Sequence, residues 1–178
     1  MLYTVECTYT DSRTEEEWNN FYSQEKMSAL ISVNGFSTSQ RFRSLMKNCS
    51  ICPVYLAIHT IRDADVISSE EYLQKGGGSF SRWQSYIEDW HRNLYNCGEA
   101  APAVLNDEIL LLSQGKINNN AEGELKSWDM YSIGLDEYPL YRVAYVISRL
   151  KLHQFKDIKG VYLYEPITHQ LKCTTNTF

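Results

Sequence analysis

Two histidines, a glutamate and an arginine are the residues of this sequence best suited to move protons and hold an anion. His59 and His91 carry imidazole rings, which exchange protons near neutral pH. Glu6 is the carboxylate that we expect beside His59, where it would orient the ring and raise its basicity. Arg41 offers a fork of donors for a carboxylate or an enolate. We interpret these four residues as candidate catalytic groups, with the two histidines acting as a pair.

Bulky side chains near these groups in the sequence are candidates for substrate binding. Aromatic rings hold flat organic molecules, and a second arginine on the same strand face as Arg41 adds to the anion clamp. The candidate substrate-binding residues are Trp83, Tyr86, Trp90, Tyr55 and Arg43.

A purely structural role is the alternative for each candidate. The two tryptophans have the spacing of a core stripe, with His91 at its solvent edge. A buried histidine with satisfied hydrogen bonds is a frequent core residue, and this is the alternative for His59. Arg41 and Arg43 also fit an exposed edge strand that charge protects from pairing.

Two short motifs give weaker signals. Cys49 and Cys52 form a CxxC, but the apolar run after them predicts a strand instead of the helix that activates a thiol. No second ligand pair completes a zinc site in the sequence. Gly76 to Gly78 precede a predicted helix without either glycine-rich phosphate-binding signature. We therefore expect ordinary loop thiols, a flexible loop or pocket lid, and no metal.

Composition restricts the class of protein. The 178 residues are 43% hydrophobic and carry a formal net charge of -5, which disfavours a nucleic-acid sheath or a polybasic membrane patch. No stretch approaches the roughly 18 continuous apolar residues of a membrane span, and the N-terminus lacks the pattern of a secretory signal. The five cysteines have no disulfide-framework spacing. We expect a cytoplasmic protein with a small-molecule substrate and with no nucleic-acid or membrane partner.

Hydrophobic periodicity predicts the elements that position these residues. The order strand, helix, strand, strand, helix, strand is that of the ferredoxin-like βαββαβ fold, an α+β fold whose antiparallel sheet carries two helices on one face. The second long helix is predicted from the spacing of five apolar residues: Phe80, Trp83, Ile87, Trp90 and Leu94. The main predicted elements are strand 1–9, helix 14–35, strands 36–45 and 54–61, helix 80–98 and strand 108–113.

The sequence predicts two parts that pack together. Residues 1–115 form the ferredoxin-like module, and residues 116–178 form a polar linker and a β-rich C-terminal extension with three strands. Strands 54–58 and 109–112 are apolar on both faces, so the sheet face without helices must also be covered. A homodimer through that face would cover it, unless the C-terminal strands do so.

Three segments carry a resemblance to a known superfamily. They are Trp18 to Tyr22 (WNNFY), Val33 to Phe36 (VNGF) and Arg41 to Arg43 (RFR). With the early strand, they resemble the dimeric α/β-barrel superfamily, especially its EthD-like and related branches, over about the first 115 residues. Members pair two ferredoxin-like sheets across a dimer. Many relatives carry a histidine followed by Leu-Pro in the first helix, where this chain has Lys26-Met27-Ser28.

The resemblance implies an organic substrate bound between the sheet and the helices. We predict acid/base chemistry of the lyase, dehydratase or isomerase type without a cofactor, in a helix-side cavity lined by Trp83, Trp90 and at least one histidine. A monooxygenase, either cofactor-free or using haem with His91 as axial ligand, is the alternative within enzymes. A non-catalytic dimeric ligand-binding or assembly protein is the alternative from another class.

Overall fold

Nine β-strands and a few short helices make up the part of the chain that the computed structural model describes, residues 1–46, 54–117 and 126–174. The strands are β1 (Leu2–Tyr9), β2 (Phe36–Ser44), β3 (Tyr55–Ile61), β4 (Ile87–Asn96), β5 (Glu108–Ser113), β6 (Ser127–Leu135), β7 (Tyr141–Ser148), β8 (Val161–Pro166) and β9 (Leu171–Lys172). The α-helices are α1 (Glu15–Asn20), α2 (Met27–Ile31) and α3 (Glu70–Gln74), and a π-helical segment, Phe21–Lys26, joins α1 to α2. Three 3₁₀ turns cover Ala64–Ser68, Ser81–Tyr86 and Arg149–Gln154.

Strand pairing closes eight of these strands into an antiparallel barrel. The order around the ring is β3, β1, β4, β6, β7, β5, β8 and β2, and β2 then pairs with β3. The contact between β2 and β8 is short and runs from the Phe42 pair with Pro166 to the Ser44 pair with Tyr164. β9 adds to the same edge of β2. Every strand of the ring therefore has a neighbour on both edges.

The predicted ferredoxin-like α+β fold is wrong, because the chain forms a closed, strand-rich barrel with few helices. The segment predicted as the second long helix is instead the Ser81–Tyr86 turn followed by β4. β4 pairs with β1 along most of its length, from Ile87 to Tyr95. Pairing with a central strand thus outweighs the helical periodicity of the local sequence.

A β-bulge explains why the sequence of β4 resembles that of a helix. The register with β1 shifts in the first half of β4, which carries one extra residue there, and Asp89 has a positive φ of 48°. The extra residue brings Ile87, Trp90 and Leu94 to the same face of the strand, against the same core. Their spacing of three and four residues is indistinguishable from a helical stripe by periodicity alone.

The three strands predicted near the C-terminus are present as β6, β7 and β8, and they complete the barrel. β6 pairs with β4, and β8 pairs with β2, so these strands join both edges of the N-terminal sheet. β5 pairs with β7 and β8. A single chain therefore buries both faces of β3 and β5. The two apolar faces of these strands no longer require a partner subunit to cover them. The homodimer itself stays a prediction.

Alternation along the strands separates an inner core from two outer cores. The inner face of the barrel holds a largely apolar cluster that includes Leu2, Leu56, Tyr95, Trp128 and Tyr164. The outer face of β1 and β3 packs under α1, α2 and α3 through a cluster rich in tyrosine and tryptophan. The outer face of β5, β7 and β8 forms a third, aliphatic cluster.

Cys49 and Cys52, predicted to be ordinary loop thiols, lie outside the described residues. Among the helices in residues 1–46, 54–117 and 126–174, none has the length and apolar character needed to cross a bilayer.

Candidate functional site

A cavity of about 160 Å³ opens at one end of the barrel, and we call it the mouth cavity. Charged and phenolic side chains project into it from four different strands and from the loop between β6 and β7. The residues that carry its chemistry are Glu6, His91, Tyr138, Arg142, Tyr162 and Tyr164.

A buried ion pair forms the wall of the mouth cavity. Nη1 of Arg142 lies 3.0 Å from both carboxylate oxygens of Glu6. The two side chains are 14% and 3% exposed. Burial opposes the charge of Arg142, but the Glu6 carboxylate outweighs this cost and holds the pKa of Arg142 above its ordinary value. The wall therefore keeps a permanent cation next to the cavity.

His91 stands beside this pair and reaches solvent. It faces Glu6 directly across the β1–β4 ladder, so the two side chains lie on the same inner face. Its Nδ1 lies 3.7 Å from Oδ2 of Asp136, and its side chain is 46% exposed. An imidazole that borders a cavity and reaches solvent is placed to exchange a proton with a molecule bound there.

Inner residues of β4 hold the rim of the mouth cavity in place. The amide of Asn93 donates to the carbonyl of Tyr138 at 3.0 Å and accepts from its N–H at 3.1 Å. The hydroxyl of Tyr95 donates to the carbonyl of Pro139 at 3.1 Å. The backbone N–H of Arg92 donates to Asp136 at 2.8 Å, which fixes the carboxylate next to His91. The rim is thus fastened to the barrel wall by two side chains and one backbone N–H of β4.

The opposite end of the barrel is closed. The side chain of Gln40 donates to the carbonyl of Val104 at 2.7 Å and accepts from its N–H at 3.0 Å. The N–H of Ala101 donates to Thr60 at 2.9 Å. These bonds seat residues 101–104 over the end and leave a void of only about 20 Å³ among apolar walls. A ligand in the barrel therefore enters through the mouth cavity.

His59 lies on the other side of the sheet from His91. It pairs with Tyr3, whose side chain belongs to the outer core, whereas His91 pairs with Glu6 on the inner face. The His59 ring is completely buried, stacks on Tyr3 and bonds to the hydroxyl of Ser39 through Nδ1 at 2.8 Å. Burial lowers the pKa of His59 to about 3. The predicted pair of histidines and the Glu6–His59 contact are therefore both wrong.

Arg41 is also buried in the outer core, away from the mouth cavity. Its guanidinium donates to the carbonyl and the side chain of Asn19 and to the hydroxyl of Ser23. Its carbon Cζ lies 4.1 Å from the ring centroid of Tyr22 and 5.0 Å from that of Trp18. Burial lowers the pKa of Arg41 to about 10.

The predicted substrate-binding residues also belong to the helix side and not to the mouth cavity. Trp83 and Trp90 pack in the outer core, and Tyr55 donates a hydrogen bond to Glu15 at 2.5 Å. Tyr86 and Arg43 are exposed. The predicted helix two does not exist, so these residues do not line one helix face, although Trp83 and Trp90 do share one core.

The structure therefore brings together Glu6 and His91 among the predicted residues, and it adds Arg142 to them. Arg142 has a signal in the sequence, since it alternates with Ala144 and Val146 on one face of a predicted strand. A lone charge on an otherwise apolar strand face needs a buried partner. No cluster of three or more metal-ligating side chains occurs among the described residues.

Two solved structures share this fold. One is described as a "putative monooxygenase" from Lactobacillus acidophilus NCFM, with a TM-score of 0.53 and 7% identity over 94% of each chain. The other is described as an "anthrone oxidase-like protein", with a TM-score of 0.51 and 8% identity over 97% of this chain and 93% of that one. At such low identity the similarity establishes the fold alone. It does not support the predicted EthD-like branch or lyase chemistry, and we retain neither.

A viral protein shares sequence with this chain. It is named "Putative helicase 087L", from Invertebrate iridescent virus 3, and is 25% identical over 122 residues. The match covers 66% of this chain but only 12% of the viral protein, so the chain corresponds to a small part of that protein's length. No family model matches the chain.

Proposed function

We propose that this protein is an oxygenase that binds a small phenolic or enolisable molecule in the mouth cavity and oxidises it with molecular oxygen. The observation that carries the proposal is the row formed there by His91, Glu6 and Arg142, in which a solvent-accessible base stands beside a buried cation. The fold shared with one protein described as a "putative monooxygenase" and another described as an "anthrone oxidase-like protein" supports an oxidation by dioxygen.

The chemistry follows from the charges that surround the cavity. His91 takes a proton from an acidic C–H or O–H of the substrate, and Arg142 stabilises the oxyanion that forms. The electron-rich anion reduces dioxygen and forms a C–O bond. For a methylene next to the oxyanion, loss of one water leaves a carbonyl, so that R₂CH₂ and O₂ give R₂C=O and H₂O. The substrate supplies all the electrons, so the step needs no other reductant.

The size of the mouth cavity limits which substrates and cofactors it can hold. At about 160 Å³ it is smaller than the pockets of roughly 300 to 1,000 Å³ that hold drug-sized ligands. The substrate that fits is therefore about one ring with few substituents. A haem macrocycle does not fit this space, so the proposal uses the cofactor-free form of the reaction, and His91 acts as a base.

A binding module without catalysis is the second candidate function. The sequence match to a short part of a much longer viral protein favours it, because such a segment often serves as a module of a larger assembly. In this case the mouth cavity would bind a small acidic molecule and leave it unchanged.

Oxygen uptake during incubation with substituted phenols and 1,3-diketones tests the oxygenase. We expect binding by thermal shift, oxygen consumption, and a product with the mass change of two hydrogens replaced by one oxygen. His91→Gln should lower the turnover by roughly a hundredfold or more. The matched control is His153→Gln, on the exposed Arg149–Gln154 turn, which should leave turnover unchanged.

The outcomes separate the two candidate functions. Binding that requires Arg142 but consumes no oxygen would favour the binding module. Oxygen uptake that is unaffected by His91→Gln would contradict the assignment of the base. No binding of any compound in the panel would overturn both functions for the mouth cavity.

A further inference from the structure

A second cavity, of about 240 Å³, lies on the helix side of the sheet, and we call it the lysine cavity. One wall is formed by the π-helical segment and α2, with Phe21, Lys26 and Ala29. The other wall is the glycine-rich loop that follows α3, with Gly76 and Ser79. Lys26 is buried, with a residue exposure of 8%.

The amine of Lys26 is held by neutral acceptors. Its Nζ donates to the carbonyl of Gly76 at 2.6 Å and also to the carbonyl of Ser79. It lies 5.7 Å and 5.6 Å from the ring centroids of Tyr22 and Phe80. Among the described residues, no carboxylate forms an ion pair with it. A buried lysine without a counter-ion is an expensive feature to retain for structure alone.

This arrangement suits an amine that reacts from its neutral form. A neutral amine has two N–H bonds and one lone pair, and the two carbonyls match the two donors. The lone pair is then left for an electrophile. Burial lowers the pKa of Lys26 to about 8, and the neighbouring Cys7 acts in the opposite direction. The other titratable groups nearby are His59 on the sheet, Glu25 on the helix and Lys75 on the loop.

The lysine cavity is poorly suited to an anion. Lys75 also borders it, but its amine bonds to Glu71 at 2.7 Å and to the carbonyl of Ser32 at 3.0 Å, so its charge is already paired. The helical wall is apolar at Phe21 and Ala29. These features favour an uncharged ligand with a polar reactive group.

We propose that Lys26 binds small aldehydes or ketones covalently, as an imine, in the lysine cavity. The nitrogen lone pair attacks the carbonyl carbon, and the electrons of the C–O double bond move to oxygen. A proton passes from nitrogen to that oxygen, water leaves, and the C=N bond forms, so the net change is gain of the carbonyl compound and loss of one water. This site is separate from the mouth cavity and independent of the proposed oxygenase.

Reductive trapping of the folded full-length chain tests the proposal. The protein is treated briefly with propanal or benzaldehyde and cyanoborohydride near pH 7.5, and the labelled lysines are located by peptide mass spectrometry. We expect Lys26 to be modified roughly tenfold faster than the exposed Lys116 and Lys126, because a lowered pKa enlarges the neutral fraction and restricted access offsets only part of that gain.

Three further measurements make the result decisive. In Lys26→Arg the selective label should disappear while Lys116 and Lys126 react as before. In concentrated urea the wild-type selectivity should be lost, and this measurement does not require the variant to fold. The selectivity should persist in His91→Gln, whatever the outcome of the oxygen-uptake assay. Labelling of Lys26 at or below the rate of the exposed lysines would overturn the proposal.

Discussion

Two buried arginines lie on opposite faces of the same sheet, and their surroundings differ. On the inner face Arg142 contacts the carboxylate of Glu6 at the mouth cavity, whereas on the outer face Arg41 contacts an amide, a hydroxyl and aromatic rings. The first arginine is paired with a carboxylate beside an open cavity, and the second has no carboxylate partner among the described residues and lies inside a packed core. The comparison shows that burial alone does not mark a site, since only Arg142 combines a charge with access to a cavity.

The histidines repeat this contrast. His59 is sealed among rings with its Nε2 unsatisfied among the described residues, and His91 reaches solvent beside Asp136. A shift of one residue along a strand moves a side chain from the outer core to the inner face of the barrel, because successive side chains point to opposite faces. The same strands thus build the aromatic outer core on one face and the wall of the mouth cavity on the other.

Removing Arg142 should have the largest effect on stability. We expect Arg142→Met to lower the free energy of unfolding by about 3 to 5 kcal/mol, because it leaves the Glu6 carboxylate buried and unpaired. Urea denaturation measures this change. In the double variant with Glu6→Gln the total cost should be smaller than the sum of the two single costs. The matched control is Arg149→Met, whose half-exposed pair with Glu165 should contribute less than about 1 kcal/mol.

Equal losses of stability in Arg142→Met and Arg149→Met would contradict the idea that Glu6 and Arg142 act as a buried ion pair. A double variant whose cost equals the sum of the single costs would have the same meaning.

Acid should destabilise the protein through His59. Its pKa is about 3 in the folded protein, mainly because of burial, and returns to the ordinary value near 6.5 on unfolding. Between these values the unfolded chain binds more protons, so stability rises with pH across that window and falls on acidification. The loss between about pH 7 and about pH 5 is about 2 kcal/mol.

Denaturation curves across that pH range test this prediction. His59→Phe, combined with Ser39→Ala to avoid an unpaired hydroxyl, should flatten the pH dependence. If the slope of stability against pH is the same in this double variant, the wild-type His59 takes up a proton in the folded protein as readily as in the unfolded chain. That result would contradict the prediction.

The smallest effect is expected from a conservative change in the outer core. Arg41→Lys should cost about 1 to 2 kcal/mol, because an ammonium cannot lie flat on the rings while it bonds to Asn19 and Ser23. Arg43→Lys, two residues along on the same face but exposed, is the control and should change stability by less than about 0.5 kcal/mol. Thermal or urea denaturation of both variants gives the comparison. A loss of ligand binding in Arg41→Lys would link the two compartments and contradict their separation.

Much of the secondary structure could be predicted from the sequence. The alternation in residues 1–9 predicts β1, and the spacing of Trp18, Tyr22 and Leu30 predicts the first helix. The β-rich pattern after the polar linker predicts the three C-terminal strands. The barrel could not be predicted, because the bulge in β4 imitates a helix. Closure of the barrel also depends on pairings between distant strands, such as Phe42 with Pro166, which no local sequence pattern predicts.

The candidate site was half predictable. Glu6 and His91 were identified by residue type, and Arg142 is detectable as a charge on an apolar strand face. The choice of face could not be made without the register, which sends His59 to the outer core and His91 to the mouth. Once β4 is known to be a strand paired with β1, that register assigns the two histidines to opposite faces.

Ring closure also governs how this chain acquires its structure in time. The strands that complete the barrel, β2 and β8, are separated by more than half of the sequence. Their union requires a large loss of chain entropy before any hydrogen bond between them forms. We expect slow folding for a chain of this size, and during synthesis the N-terminal strands must wait with an unpaired β2 edge until β8 leaves the ribosome. In that interval a chaperone, or a misplaced strand from another molecule, can occupy the edge.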